Sequence, residues 1–155
     1  MRIGVISDTH GLLRPEALDQ LRGSDYIVHA GDVGDPKILD ALLAIAPLTA
    51  VRGNVDADEL ASLLPKSAIL RAGDIAIYVH HGNDDRIAKP PPGTDVVISG
   101  HTHEARVEEV DGILYLNPGS AGPRRFHLPV TVAILTVDGG RASARIVPLL
   151  GPALP

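Results

Sequence analysis

The sequence predicts an α/β protein in which two packed β-sheets lie between helices, a four-layer α-β-β-α sandwich. In the first half, short apolar runs alternate with helix-like segments, which indicates parallel strands joined by helical crossovers. The second half has strand-like runs separated by short glycine turns, which is typical of antiparallel pairing. Because a single sheet would leave one face exposed to water, we expect the two halves to pack against each other.

The first half contains three predicted strands, at residues 2–7, 26–29 and 48–52. Pro15 and Pro36 suit the first turn of the two helices that join these strands. The second helix is the more regular, since its apolar residues recur at helical spacing until Pro47 ends the pattern. Strand, helix, strand, helix, strand is the order expected of a parallel sheet.

A third, short helix is predicted between the third strand and Pro65. Asp56 is followed three residues later by Glu59, which resembles a capping box at the start of this helix. Asp56 also qualifies as a residue that orients a neighbouring metal ligand. The sequence leaves both roles open.

The second half is predicted to consist mainly of strands, at residues 67–71, 75–80, 96–99, 105–110, 113–116, 130–137 and 142–147. The first two flank Gly73 and are expected to form a hairpin. Residues 83–94 contain three consecutive prolines and are predicted as a surface loop. Residues 151–155 form a short tail, and residues 1–155 are expected to form a single domain.

Composition narrows the classes of function. The chain of 155 residues has no cysteine, which excludes disulfides and thiolate metal ligands. Its formal charge of -5 and its few aromatic residues argue against binding to nucleic acid. With no targeting segment and no apolar window of membrane-spanning length, we expect a soluble cytoplasmic protein without membrane association.

Potential metal ligands follow the predicted strands. His101 and His103 come directly after an apolar strand and, being two residues apart, share one face. Five others occupy equivalent places after strands, and they are Asp8, His10, Asp32, Asn54 and His81. Because open α/β sheets bind ligands beyond the carboxyl ends of their strands, we expect all seven to converge on one site.

Imidazole and oxygen ligands in this number suit two divalent metal ions about 3.5 to 4 Å apart. Asp32 is the expected bridge, because a carboxylate has two oxygens and a negative charge that offsets repulsion between the cations. We assign Asp8, His10, Asp32 and His103 to the first metal, and Asp32, Asn54, His81 and His101 to the second. Manganese is the first expectation, and iron, cobalt, nickel and zinc also fit. A hydroxide between the two metals would attack a phosphoester.

Five short motifs carry this chemistry in order along the chain: Asp8-x-His10, Gly31-Asp32, Gly53-Asn54-x-Asp56, His81-Gly82 and Gly100-His101-x-His103. Together they resemble the signature of the calcineurin-like metallophosphoesterases. Asn117-Pro118-Gly119-Ser120 and Pro123-Arg124 make the chain most similar to the compact YfcE-like phosphodiesterases. This resemblance implies the sandwich fold, the dinuclear site with the ligand division above, and a small phosphodiester substrate. Members of the fold commonly pair, so the resemblance is compatible with a homo-oligomer such as a dimer, and the sequence leaves the oligomeric state open.

Some residue assignments stay open in the sequence. His81 is the expected ligand because His80 alternates to the opposite face of the strand, but a different register would exchange the two. Four residues could contact the substrate or could be ordinary turn and surface residues. They are Asn54, Gly119, Ser120 and Arg124.

Two other functions are compatible with the same fold. One is a binding scaffold of the Vps29 type, without robust catalysis. Such scaffolds lose ligand histidines, whereas all seven ligands are present here. The other is a phosphomonoesterase or nucleotide phosphatase, which nothing in the sequence excludes.

Val55 stands where many members of the resembled family have a histidine that protonates the leaving group. Without that proton, nitrophenyl esters should react at least about 100-fold faster than alkyl esters, since an activated leaving group departs unprotonated. Steady-state kinetics on matched nitrophenyl and alkyl phosphodiesters measures this preference. Equal kcat/KM on the two esters would contradict it.

Overall fold

The computed structural model describes residues 1–150, and these form two five-stranded sheets with four helices. In chain order the elements are β1 (Arg2–Ile6), α1 (Pro15–Leu21), β2 (Tyr26–His29), α2 (Pro36–Leu43), β3 (Leu48–Ala50), α3 (Asp58–Leu63), β4 (Ser67–Ala72), β5 (Ile75–His80), α4 (Asp85–Ala88), β6 (Val96–Ile98), β7 (Arg106–Val110), β8 (Ile113–Asn117), β9 (Val130–Asp138) and β10 (Arg141–Leu150). The predicted α/β sandwich is therefore confirmed. The predicted tail, residues 151–155, lies outside the described residues.

The first sheet has the strand order β10-β9-β1-β2-β3. Strands β1, β2 and β3 are parallel, while β9 runs antiparallel to β1 and β10 antiparallel to β9. Helices α1 and α2 begin with the predicted prolines and bury their apolar faces, including Leu21 and Leu42, against the outer side of this sheet. The carboxyl ends of the three parallel strands consequently lie at one edge.

The second sheet has the order β4-β5-β6-β8-β7. The antiparallel style predicted for this half holds for the β4/β5 and β7/β8 hairpins, but β5, β6 and β8 are parallel. Parallel pairing needs long connections, and the stretch between β5 and β6 supplies one. The sequence predicts residues 83–94 as a surface loop, but the structure has the single-turn helix α4 within them. The Tyr78 hydroxyl donates to the Ile87 carbonyl, which fixes this thin outer layer over the sheet.

The main core lies between the two sheets. Val5 and Val28 of the first sheet are fully buried in one cluster with Ile77, Val79 and Ile98 of the second. Burying a side chain of this size contributes roughly 1.5 to 3 kcal/mol, so the interface between the sheets is a large part of the stability of the fold. It also holds the strand ends of both sheets in a constant relative position.

Helix α3 begins at Asp58, two residues after the predicted cap. Its N-cap is Ala57, whose side chain makes no capping hydrogen bond, so the predicted capping role of Asp56 is wrong. Asp56 instead accepts hydrogen bonds from the Gly53 amide of its own loop and from the Val33 and Gly34 amides of the loop after β2. Among residues 1–150, no helix is long and apolar enough to cross a membrane.

Candidate metal centre

The structure brings the seven predicted ligands together at one end of the sandwich. They lie in five loops, which follow β1, β2, β3, β5 and β6. Their imidazole and carboxylate groups fall into two trios, each with ligand atoms within 4.8 Å of one another. The trios are Asp8, His10 and His103, and Asp32, His81 and His101.

The first trio is built around Asp8, which is fully buried at the end of β1. Its Oδ1 atom lies 3.4 Å from His103 Nε2 and 3.7 Å from His10 Nε2. The two imidazole Nε2 atoms are 3.3 Å apart. Three ligand atoms thus surround one small volume, as a metal ion requires.

The second trio is built around Asp32. His81 Nε2 lies 3.1 Å from Asp32 Oδ2. Asn54 joins this trio, since its Oδ1 atom is 3.2 Å from His101 Nδ1. The same Asp32 oxygen lies 3.6 Å from His10 Nε2 of the first trio. Asp32 therefore lies between the two groups of ligands.

The donor set fits divalent cations. His81 donates its Nδ1 hydrogen to the Ala30 carbonyl over 2.8 Å, so its Nε2 lone pair faces the carboxylates. Among the described residues, buried His81 Nε2 and Asp8 Oδ1 have no hydrogen-bond partner. Leaving a buried polar atom unpaired costs about 1 to 3 kcal/mol, and a cation at each trio would satisfy the unpaired atom of that trio.

The charges of the centre also favour cations. Burial works against ionisation of Asp8, but the neighbouring imidazoles of His103 and His81 and the hydrogen bond from Ser7 outweigh it and lower the pKa of Asp8. Burial likewise opposes ionisation of Asp32, but the close His81 imidazole and the hydrogen bond from the Val55 amide outweigh it and lower the pKa of Asp32. Burial opposes protonation of His81, yet Asp32 and Asp8 raise its pKa overall. A bound proton and a bound metal compete for the same His81 nitrogen, so metal binding should release protons.

The ligand loops are locally strained. Asp8, His10, Asp32, His101 and His103 all have positive φ, between 46° and 73°. This left-handed conformation is uncommon for residues other than glycine and concentrates at functional sites. Backbone hydrogen bonds between the loops offset the strain, including Asp8 N to Gly31 O at 3.0 Å and His10 N to Asp32 O at 2.9 Å.

Sequence reasoning missed the residues that orient the carboxylates. Ser7 donates its hydroxyl to Asp8 Oδ2 over 2.7 Å, and the His101 amide donates to the same oxygen. The Val55 amide donates to Asp32 Oδ1 over 3.0 Å. Each carboxylate thereby turns one oxygen toward the backbone and the other toward the ligands. The two amide donors come from other loops, so no spacing in the sequence indicates them, whereas Ser7 directly precedes Asp8 and could have been considered.

Asp56 ties the Asp32 loop to the Asn54 loop. Its carboxylate accepts from the backbone amides of Gly53, Gly34 and Val33 at 2.9, 3.0 and 3.2 Å. A Cβ atom on Gly53 would collide with the Asp32 carboxylate and amide, so the two loops approach too closely for any other residue. The orienting role that the sequence left open for Asp56 is the one that this geometry supports.

His29 supports the centre from behind. Its Nδ1 atom accepts from the Gly31 amide over 3.1 Å, and its Nε2 hydrogen is donated to Thr9 Oγ1 over 3.0 Å. The Thr9 hydroxyl then donates to the Val33 carbonyl. Burial lowers the pKa of His29 to about 4, so the ring is neutral at physiological pH. The chain of hydrogen bonds requires that neutral form.

Three residues predicted to contact substrate form hydrogen bonds within the protein. Ser120 is buried and donates its hydroxyl to the Asp8 carbonyl over 3.1 Å, and Gly119 donates its amide to Asn117 Oδ1. Arg124 donates to the Leu128 carbonyl of its own loop. Substrate contacts by these residues stay predictions. His80 lies on the other face of β5, where it stacks on Tyr78, so it is His81 that joins the ligands.

Two sheets with seven candidate nitrogen and oxygen ligands at their strand ends define an α/β sandwich with a candidate metal site. A family model for the calcineurin-like phosphoesterase superfamily domain matches residues 1–140, and the chain belongs to that superfamily. The resemblance seen in the motifs is thereby confirmed. A probable metallophosphoesterase of Methanocaldococcus jannaschii is 38% identical, over 96% of this chain and 82% of its own length.

Solved structures agree with this placement. An archaeal phosphodiesterase superimposes with a TM-score of 0.78 at 26% identity, covering 95% of this chain and all of that one. The Escherichia coli phosphoesterase YfcE gives 0.72 at 25% identity, covering 88% of each chain. Vps29 of Chaetomium thermophilum gives 0.77 at 21% identity, covering 98% of this chain and 100% of the other, which shows a shared fold alone.

Replacing Asp56 with Ala should destabilise the protein by about 2 to 4 kcal/mol, because three backbone amides lose their acceptor. Metal affinity should also fall, by about 10- to 100-fold, since the Asp32 and Asn54 loops are no longer tied. Urea unfolding with chelator present and metal titration measure the two effects. Asp56→Asn retains one acceptor and should lose less. Exposed Asp40→Ala serves as the control, and equal effects of Asp56→Ala and Asp40→Ala would contradict the role.

Stability should fall by about 3 kcal/mol as the pH drops from about 6.5 to about 4, through His29 alone. The unfolded chain binds a proton on this ring near pH 6.5, whereas the folded protein does so only near pH 4. Urea unfolding of the metal-free protein across this range measures the effect. The curve for His29→Gln should lack this component, and parallel curves for the two proteins would refute the assignment.

Proposed function

We propose that this superfamily member is a dinuclear metal-dependent phosphodiesterase. The observation that carries the proposal is the position of Asp32, whose Oδ2 atom lies within 3.6 Å of imidazole nitrogens from both trios. A carboxylate shared in this way is what two closely spaced cations require. The likeness to an archaeal phosphodiesterase supports phosphodiesters as the substrate class.

The proposed ligand division follows the two trios. Asp8, His10 and His103 would hold one metal, and Asn54, His81 and His101 the other, with Asp32 shared by both. When bound, two divalent ions would activate a water molecule and neutralise charge on the phosphoryl oxygens. Manganese is our first candidate, with iron, cobalt, nickel and zinc as alternatives for the same imidazole and oxygen ligands.

The chain itself contributes orientation. Ser7 and two main-chain amides hold the carboxylates in place before substrate arrives, so little reorganisation is needed during the reaction. Beside Asp32, the half-exposed side chain of Val55 offers no proton to a leaving group. This arrangement supports the preference for activated esters.

A non-catalytic scaffold is the alternative function that the Vps29 fold likeness suggests. The convergence of seven candidate ligands favours a metal-dependent enzyme, because a scaffold has no need of buried ligand atoms without hydrogen-bond partners. A phosphomonoesterase would share the same centre. The cytoplasmic location stays a prediction, and the oligomeric state stays open.

Asp32→Ala and His101→Ala should each reduce bound metal below two ions per chain and lower turnover of an aryl phosphodiester by more than about 100-fold. Elemental analysis and initial rates with added manganese measure both effects, and aryl monoesters assayed in parallel show the substrate class. His127→Ala, in an exposed loop, is the control. A wild-type protein with neither metal nor turnover would favour the scaffold, and faster monoester hydrolysis would favour the phosphomonoesterase.

A further inference from the structure

A cleft of about 510 Å³ opens beside the second trio of ligands, and Asn54 belongs to both. Arg52, two residues before Asn54, and Asn83, two residues after His81, form part of its wall. Lys66 forms another part. The β4/β5 register pairs Ser67 with His80, which places Lys66 one residue further, beside His81. The cleft therefore leads directly away from the proposed centre.

Two cations in this wall have no carboxylate partner. Among residues 1–150, neither Arg52 nor Lys66 forms an ion pair within 4.0 Å. Arg52 is held in place, because its Nη1 donates to the Ala61 carbonyl at 3.0 Å and its backbone amide donates to the Pro65 carbonyl at 2.7 Å. The second of these bonds fixes the Lys66 segment next to Arg52.

The acidic residues of the wall are largely engaged elsewhere. Asp56 accepts three backbone amides. Asp84 is bound by the Arg86 guanidinium through two contacts of 2.9 Å, and these hydrogen bonds lower the pKa of Asp84 to about 2. Exposed Asp85 is the remaining carboxylate among the residues that line the cleft. The wall thus holds three cations and three carboxylates, and among the described residues Arg52 and Lys66 are the cations of the wall that no carboxylate pairs within 4.0 Å.

We infer that this surface, the cationic cleft of Arg52, Asn54, Lys66 and Asn83, binds one ester substituent of the substrate and selects substituents that carry a second anion. The inference rests on the proposed function, since the scissile phosphoryl group is taken to lie at the metal ligands. Because Asn54 lies both at the metal ligands and in the wall of the cleft, a substituent on phosphorus would extend from the ligands into the cleft. A carboxylate or a further phosphate provides the chemistry that a lysine and an arginine recognise.

Binding of two benzylphosphonates to the metal-loaded protein tests the cleft. In these ligands a methylene group replaces the ester oxygen of an aryl phosphate, so they are not hydrolysed. The 3-carboxy compound should bind about fivefold or more tightly than the 3-carbamoyl compound, since only the former carries the second anion. Titration calorimetry measures both affinities, and a series with a phosphate in place of the carboxylate compares the two anions.

Lys66→Met should remove most of this preference, and Lys66→Arg should retain it. Lys89→Met is the matched control, because Lys89 lines a separate cavity on the outer face of the second sheet. Equal affinity of wild type for the two ligands, or an unchanged preference in Lys66→Met, would overturn the cationic cleft and leave the proposed function standing. Failure of both ligands to bind a protein with two metals per chain would also overturn the cleft, whereas absence of turnover of the aryl phosphodiester by that protein would refute the proposed function.

Discussion

The burial of two ionised carboxylates, Asp8 and Asp32, is the constraint on which the rest of this structure depends. Both are nearly inaccessible to water, at 0% and 3% exposure, and both have lowered pKa values. Buried charge is costly unless it is paired and hydrogen-bonded. Imidazoles and amide hydrogens compensate part of it, but Asp8 Oδ1 has no hydrogen-bond donor within the described chain. The centre is organised for positive charge that the protein itself does not provide.

The loops around these carboxylates are held more firmly than their lack of regular structure suggests. Five ligand residues have left-handed backbones, which cost free energy unless the surroundings enforce them. Asp56 and His29 hold the loops that follow β1, β2 and β3 through hydrogen bonds, and Asp8 accepts from the His101 amide of the loop after β6. The packed interface between the sheets supplies the rigid base, so the ligand positions are set before any ligand binds.

The same sandwich occurs in phosphoesterases and in Vps29, so the fold alone does not decide between catalysis and scaffolding. The chemistry at the strand ends is more informative. Here all seven candidate ligands converge, while a valine lies beside Asp32 where many members of the resembled family have a histidine. The adjoining cleft adds Arg52 and Lys66, whose charges face an ester substituent rather than the phosphoryl group itself.

The sequence by itself determined the sandwich, its strands and three of the four described helices, and it named the seven candidate ligands that converge at the strand ends. These are local properties: apolar periodicity marks the strands, and parallel strands carry the residues that follow them to a common edge. Tertiary structure alone decided the parallel run of β5, β6 and β8, the role of Asp56 and the cationic cleft. Asp56 accepts a hydrogen bond from the Val33 amide, 23 residues earlier in the chain, and it does not cap helix α3. Contacts between distant segments depend on which loops the packed sheets bring together, and no local pattern records that.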